Sequence, residues 1–223
     1  GSAAAAMLRC RKVMAAHFTP AFFTYLRALK AHNTREWFQE TRDRYTAEVE
    51  APMLRFITDL APHLRTISPA IVVDPRRSGG SMYRIHRDTR FSADKSPYKT
   101  HVAAHFKHEA KKTAPSVPGF YLHLGPGESM GGGGIYHPDM PTLTRIRHGI
   151  VDDARGWAAV RKAGLEIEGA RLTRAPAGFD PAHPFIEDLR LKDFYGMATF
   201  TQAEVCAGDF LERYVTTCRQ VAP

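Results

Sequence analysis

The apolar positions change their period along the chain. Between Pro20 and Leu64 they recur every three or four residues, the spacing that lines one face of an α-helix. Thr19-Pro20 starts a first helix, with Thr19 placed to cap it, Pro20 in its first turn, and Phe22, Phe23, Leu26 and Leu29 on its inner stripe. Asn33 ends that helix and caps the next, with Glu36 three residues on, and Trp37, Phe38, Tyr45 and Val49 mark a second amphipathic helix. Leu54, Ile57, Leu60 and Leu64 mark a third that begins near Pro52.

From Ser81 the period shortens toward two and glycine and proline become frequent, which predicts strands over 81–91, 101–107, 119–124 and 130–137. The connections are too short for helical crossovers, so these strands are expected to be antiparallel neighbours. Helical spacing returns after Pro141 with Leu143, Ile146 and Ile150, and again over 154–162 around Trp157. Residues 165–167 and 171–173 predict a small hairpin across Glu168-Gly169-Ala170, followed by a short helix over 181–188 and a strand over 189–195. Thr201-Gln202-Ala203-Glu204 is a capping box leading into a long C-terminal helix with Val205, Leu211, Tyr214, Val215 and Cys218 inward. The order defines an α+β fold: N-terminal helices, a central, mostly antiparallel sheet and a C-terminal helix. It is read as one domain over 7–223, with Gly1 to Ala6 as an expression scar and Met7 as the start.

Composition adds direction. The 43% apolar content suffices for an ordinary core, while the net charge of +8 and the pI of about 9.6 favour acidic partners. Residues 76–112 hold ten lysines and arginines against Asp88, Asp94 and Glu109, a balance of 10 − 3 = +7. No apolar run approaches the roughly 18 residues of a membrane span, and no secretory signal pattern opens the chain. Cys10, Cys206 and Cys218 are odd in number and lack C-x-x-C spacing, which argues for a reducing compartment and against a disulfide framework or a zinc site. The expectation is a cytoplasmic protein with no membrane partner.

Within the basic segment, an extended 84–91 would project Arg84, His86, Asp88 and Arg90 to one side and Ile85, Arg87, Thr89 and Phe91 to the other. A guanidinium presents a planar fork that matches carboxylate or phosphate oxygens, and Asp88 between two of them would fix their rotamers. The loop that follows, 92–100, adds Lys95, Lys99, three hydroxyl side chains and the Tyr98 phenol. The competing reading is an exposed ion-pair network with Asp94, Ser96 and Pro97 as turn formers. A bound anion would relieve the crowding of so many cations. Arg84, Arg87, Arg90, Lys95 and Lys99 are therefore the expected ligand-binding residues, with Arg147 as a second wall; if chemistry occurs, Asp88 or Asp94 would be the base and Tyr98 the proton donor.

Other signals are weaker. His86, His101, His105 and His123 would approach one another if their strands are adjacent, but no H-E-x-x-H or acidic cluster accompanies them, and no metal or cofactor is assigned. Gly131 to Gly134 lack the ending of a P-loop and the spacing of a dinucleotide fold, and packing beneath a large side chain competes with a phosphate role.

The string Arg84, Arg87-Asp88, Arg90-Phe91-Ser92, Asp94-Lys95, Pro97-Tyr98-Lys99-Thr100 resembles the signature of a conserved bacterial and fungal family, domain of unknown function 2461. Asn33 with Glu36-Trp37-Phe38, Gly119-Phe120-Tyr121, the glycines before Ile135-Tyr136, and Arg147 extend the likeness over nearly the whole chain from Phe18. The resemblance implies a single α+β domain and a shared polar site, with no activity attached, and His86 falls at a position expected to vary. Three functions compete: a pocket or enzyme for a small anionic phosphate or carboxylate ligand, a nucleic-acid-binding surface, and a module that docks an acidic protein partner.

Overall fold

A computed structural model describes residues 15–114 and 116–222. The stretch 1–14, which carries the proposed scar, Met7 and Cys10, lies outside the described residues. Helix α1 (Pro20–Ala31) buries Phe22, Phe23, Tyr25, Leu26 and Leu29, the stripe that the spacing predicts. The second predicted helix is divided into α2 (Arg35–Glu40), α3 (Arg42–Tyr45) and a π-helical turn (Thr46–Glu50) that runs into α4 (Ala51–Ile67). Two local causes are visible. The Thr41 hydroxyl bonds back to the Trp37 carbonyl at 2.9 Å, and Pro52 has no N–H to give to the Glu48 carbonyl, so the turn before it widens and the Ala51 N–H reaches Thr46.

Four strands form one antiparallel sheet in the order β1 (Val102–Lys107), β2 (Gly119–Gly125), β3 (Glu128–Ile135) and β4 (Phe194–Thr199). Between β3 and β4 lie α5 (Met140–Asp152), α6 (Ala154–Ala163) and α7 (Ile186–Leu189); α8 (Gln202–Val205) and α9 (Phe210–Val221) close the chain. The predicted capping box at Thr201 and Glu204 is formed, but it starts the short α8, and the C-terminal helix is interrupted before Phe210.

The α+β class and its helix–sheet–helix order hold, and three local expectations need correction. Residues 81–91 are not a regular strand: Met82 makes a single bridge to Ala104 of β1, and His86 a single bridge to Tyr98, ahead of that strand. Segments 165–167 and 171–173 do not pair with each other. Glu168 and Arg171 bridge instead to Tyr195 and Leu191, because the Asp193 carboxylate accepts the Ala170 N–H and draws that turn against the chain entering β4. The strand expected over 189–195 begins only at Phe194, since Leu189 and Leu191 are fully buried as core side chains.

The main core fills the space between α1, α4 and α9 and one face of the sheet, where Val102, Ala104 and Phe106 of β1 meet Phe120, Leu122 and Leu124 of β2. A smaller core, with Leu143, Ile150, Leu189 and Phe194, sits beneath α5 and α6. In β3 glycine is dictated by packing. A Cβ on Gly131 would lie 2.6 Å from the Tyr214 ring of α9, and one on Gly133 would lie 2.6 Å from Phe120. On the alternate positions, a Cβ on Gly132 or Gly134 would overlap backbone carbonyls of β4, and Gly134 has φ +136. The glycine run thus lets α9 and β4 approach β3.

Candidate functional site

The basic segment folds as an irregular hairpin. Arg87 N–H donates to the Pro97 carbonyl at 2.9 Å and Lys99 N–H to the Ile85 carbonyl at 2.8 Å. One residue fastens this hairpin to the helices. The Asn33 side chain donates to the Tyr98 carbonyl at 2.9 Å and accepts the Tyr98 N–H at 3.1 Å, a two-bond clasp across 65 positions of sequence. Asn33 is therefore not the cap of α2; Thr34 is, accepting the Trp37 N–H. The Tyr98 ring stacks on Phe38 at 4.2 Å between centroids and is only 3% exposed, which seats the hairpin on α2.

Between α2 and the hairpin opens a polar cleft of about 730 Å³. Thr34, Arg35, Glu36 and Gln39 form its helical wall; His86, Arg87 and Lys95 face them from the hairpin. Three permanent cations, Arg35, Arg87 and Lys95, thus share one cleft with a single carboxylate, Glu36. Arg87 is held in place by the Asp94 carboxylate and by weak bonds to the Ser96 carbonyl and Ser92 hydroxyl, both at 3.4 Å. Lys95 donates to the Thr89 carbonyl at 3.0 Å. Arg35 makes no ion pair among the described residues.

The predicted set is divided by the fold. Arg87, Lys95 and Tyr98 line the cleft; Arg84, Asp88, Arg90, Asp94 and Lys99 do not. Arg90 is turned back on Asp88, with bonds of 2.9 and 2.7 Å, in an exposed pair at the hairpin tip. Asp88 is not a bridge between two guanidiniums: Arg84 makes no ion pair among the described residues and only adds charge nearby. Lys99 donates to the Arg84 carbonyl at 3.0 Å and lies 5.3 Å over the Tyr83 ring. Arg147 is 3% exposed and gives its guanidinium to the carbonyls of Leu189 and Leu191 at 2.7 and 3.1 Å. It ties α5 to the α7 segment and forms no wall of the cleft.

The carboxylates proposed as bases are poor proton acceptors. Hydrogen bonds from the Ser96 hydroxyl and N–H, then from Arg87, hold Asp94 far below the usual carboxylate range. Arg90 lowers Asp88 through its side chain and N–H. Tyr98 is a packing residue whose ring is pinned between Phe38 and His86. Sequence reasoning missed Arg35 and Gln39. Both sit one turn apart on a helix whose polar residues read as ordinary capping and surface, and only the clasp at Asn33 shows that this turn faces the hairpin.

The histidines do not converge on a metal site: among the described residues no group of three or more potential ligands is brought together. His101 and His123 stack at 4.1 Å, and His105 bonds to the Tyr83 hydroxyl at 3.1 Å. Burial, with the neighbouring His123 and Lys99, pushes His101 down to about 4. Burial, with Lys107 and Lys111, does the same to His105. Neither described cysteine is poised as a nucleophile, because burial raises Cys206 and takes Cys218 to about 12. Among the described residues no helix is long and apolar enough to cross a membrane.

An α+β frame that holds a polar cleft through a long-range asparagine clasp is the class of protein these observations define. The chain belongs to the conserved hypothetical protein family DUF2461, whose model matches residues 21–223. No curated protein and no solved structure matches it.

Proposed function

We propose that this protein binds a small anionic ligand, a phosphate or carboxylate, in the cleft between α2 and the basic hairpin. The observation that carries the reading is the meeting of Arg35, Arg87 and Lys95 across one concave site with Glu36 as its sole acid. Guanidinium forks recognise such oxyanions in a planar, two-point geometry, and concavity favours a small ligand over a flat partner surface. The suppressed basicity of Asp88 and Asp94 supports binding, or catalysis by charge stabilisation alone, over a mechanism in which an aspartate takes a proton.

Calorimetric titration with inorganic phosphate and with citrate tests this. Arg35→Ala and Arg87→Ala should each weaken binding by about tenfold, the worth of one charge-assisted hydrogen bond. Arg90→Ala should leave it unchanged. Absence of saturable binding for both anions, or binding that survives the Arg35 and Arg87 substitutions together, removes the reading.

A second reading has one observation in its favour. Phe91 is 94% exposed at the hairpin tip with the Arg90 guanidinium 5.7 Å from its ring, a pairing suited to stacking on a nucleic-acid base. Salt-dependent binding of single-stranded DNA or RNA that is lost in Phe91→Ala would establish it; a flat titration at low salt would dismiss it.

A further inference from the structure

The face of the sheet turned away from α9 carries a second concavity that the α2–hairpin cleft does not explain. Strand pairing arranges this face in rows. His105, Tyr121, Gly132 and Met197 lie side by side across β1 to β4, and in the next row lie Lys107, Gly119, Gly134 and Tyr195. Glycine therefore occupies three neighbouring positions, 119, 132 and 134, in the middle of the face. Of these, Gly119 and Gly134 line a hollow with bare backbone, and around it stand Tyr83, His105, Tyr121, Tyr136, Tyr195 and Met197. The hollow measures about 470 Å³, within the roughly 300–1,000 Å³ of small-molecule sites.

Its walls are positioned from behind. Tyr83 is hydrogen-bonded to His105 Nδ1 at 3.1 Å, and Tyr121 to His123 Nδ1 at 3.3 Å. Gly119 leaves room for the imidazole of His105: a Cβ there would lie 2.9 Å from its Nε2. Tyr136 stands at the rim beside His137, the one non-glycine residue with positive φ (48°) among the described residues. His137 is kept in that conformation by the buried Asp193 carboxylate, which accepts its N–H at 2.7 Å and faces its ring at 3.2 Å. Tyr136 in turn meets Tyr195 edge-on at 5.9 Å. Lys107 and Lys111 supply positive charge at one end.

We infer that this hollow is a binding site for a flat aromatic or heteroaromatic ring bearing one anionic group, the ring lying on the glycine floor among the tyrosines and the anion directed toward Lys107. Peptide planes without side chains accept a flat ring, aromatic and thioether walls add edge and face contacts, and an imidazole with a phenolic partner offers hydrogen bonding to a ring substituent. The inference is independent of the α2–hairpin site.

Met130 and Met197 line the hollow, whereas Met140 is 64% exposed on α5, so methyl NMR of the protein labelled at its methionines reads occupancy directly. Titration with 2-naphthoate should move the Met130 and Met197 methyl signals with a common half-saturation below about 1 mM and leave Met140 in place. Met197→Trp fills the hollow and should abolish the effect. Lys107→Gln, at an exposed position, should weaken 2-naphthoate but not uncharged 2-naphthalenemethanol, and serves alone if the Met197 variant does not fold. Arg87→Ala should change neither ligand, which separates failure here from failure of the α2–hairpin reading. Absence of a saturable shift at the two methyls, equal movement of Met140, or indifference of 2-naphthoate to Lys107→Gln overturns the inference.

Discussion

The two faces of the sheet are built from the same four strands and have opposite characters. On the covered face, Val102, Phe106, Leu122 and Leu124 are at most 2% exposed, and the Tyr214 ring of α9 rests on Gly131. On the open face, His105, Tyr121, His123 and Met197 remain half-buried around a floor of glycine. Alternation along β1 and β2 separates the two sets apart from Ala103, which is buried on the open face, but β3 has no side chains between 131 and 134 with which to alternate. Gly131 and Gly133 serve contact on the covered face, while on the other Gly132 and Gly134 admit the β4 backbone and Gly134 lines the hollow. The same residue type can thus mark a packed interface or a recess, depending on whether a helix covers it.

The contrast is broken most severely from the covered side. Tyr214 is fully buried, touches the Phe56 and Phe106 rings, and donates its hydroxyl to the Tyr121 carbonyl at 3.0 Å. Tyr214→Ala should cost about 3–5 kcal/mol, read as a loss in denaturant midpoint. On the open face, Tyr83→Ala removes a side chain that is already 39% exposed and should cost well under half as much. Gly131→Ala comes next. Its new methyl would press into the Tyr214 ring, and overpacking of this kind costs about 1–3 kcal/mol. Combining Gly131→Ala with Tyr214→Leu should recover part of that loss, because the two residues share one contact.

How much of this was legible follows from how local each cause is. The stripe of Phe22, Phe23, Leu26 and Leu29, the strands near 102–107 and 119–125, and the Thr201–Glu204 box are set by neighbours within a few residues, and the sequence pattern carries them. The hairpin over 81–99 is different. Its alternation is real, with Ile85 buried and Arg84, His86, Asp88 and Arg90 exposed, yet single bridges and the Asn33 clasp replace a ladder. Nothing in the local pattern signals that Asn33 would reach Tyr98 rather than cap a helix, so the pairing of Arg35 with Arg87 and Lys95 stayed hidden. Charge counting located the basic segment but not the direction of each cation, because it cannot separate Arg90, paired with Asp88 at the hairpin tip, from Arg87, paired with Asp94 but lining the cleft.

The clasp gives the next prediction. Asn33→Ala removes two hydrogen bonds to a half-buried backbone segment and should cost about 1–3 kcal/mol. It should also weaken phosphate or citrate, and Asn33→Asp should weaken them at least as much, since it loses the donor to the Tyr98 carbonyl and adds a negative charge to the lining of the cleft. Loss of stability without loss of anion affinity would mean that the cleft does not depend on where the hairpin sits.

The smallest effect sharpens the contrast by pH. The ordinary histidine value is 6.5, and burial on the open face lowers His101 and His105 to about 4 in the folded protein. Below pH 6.5 the unfolded chain therefore binds protons that the folded chain refuses, so folding stability should fall as the pH drops from 6.5 toward 4, and the histidine contribution should level off below. The suppressed carboxylates Asp74, Asp88 and Asp94 start from 3.8 and Glu204 from 4.5, so the upper part of this window, above about pH 5, belongs to histidine. His105→Gln should reduce the slope of the midpoint-versus-pH profile between 6.5 and 4, with His101 supplying the remainder, while leaving the plateau above 7 close to wild type. Tyr83→Phe tests the same region from the other partner: by removing the hydroxyl bonded to Nδ1 it alters the imidazole without admitting much water, so the acid slope should persist. A profile that is flat in the wild-type protein would mean that the open face accepts protonated histidine, and that its half-buried ring of residues is wetter than its covered counterpart by more than the geometry implies.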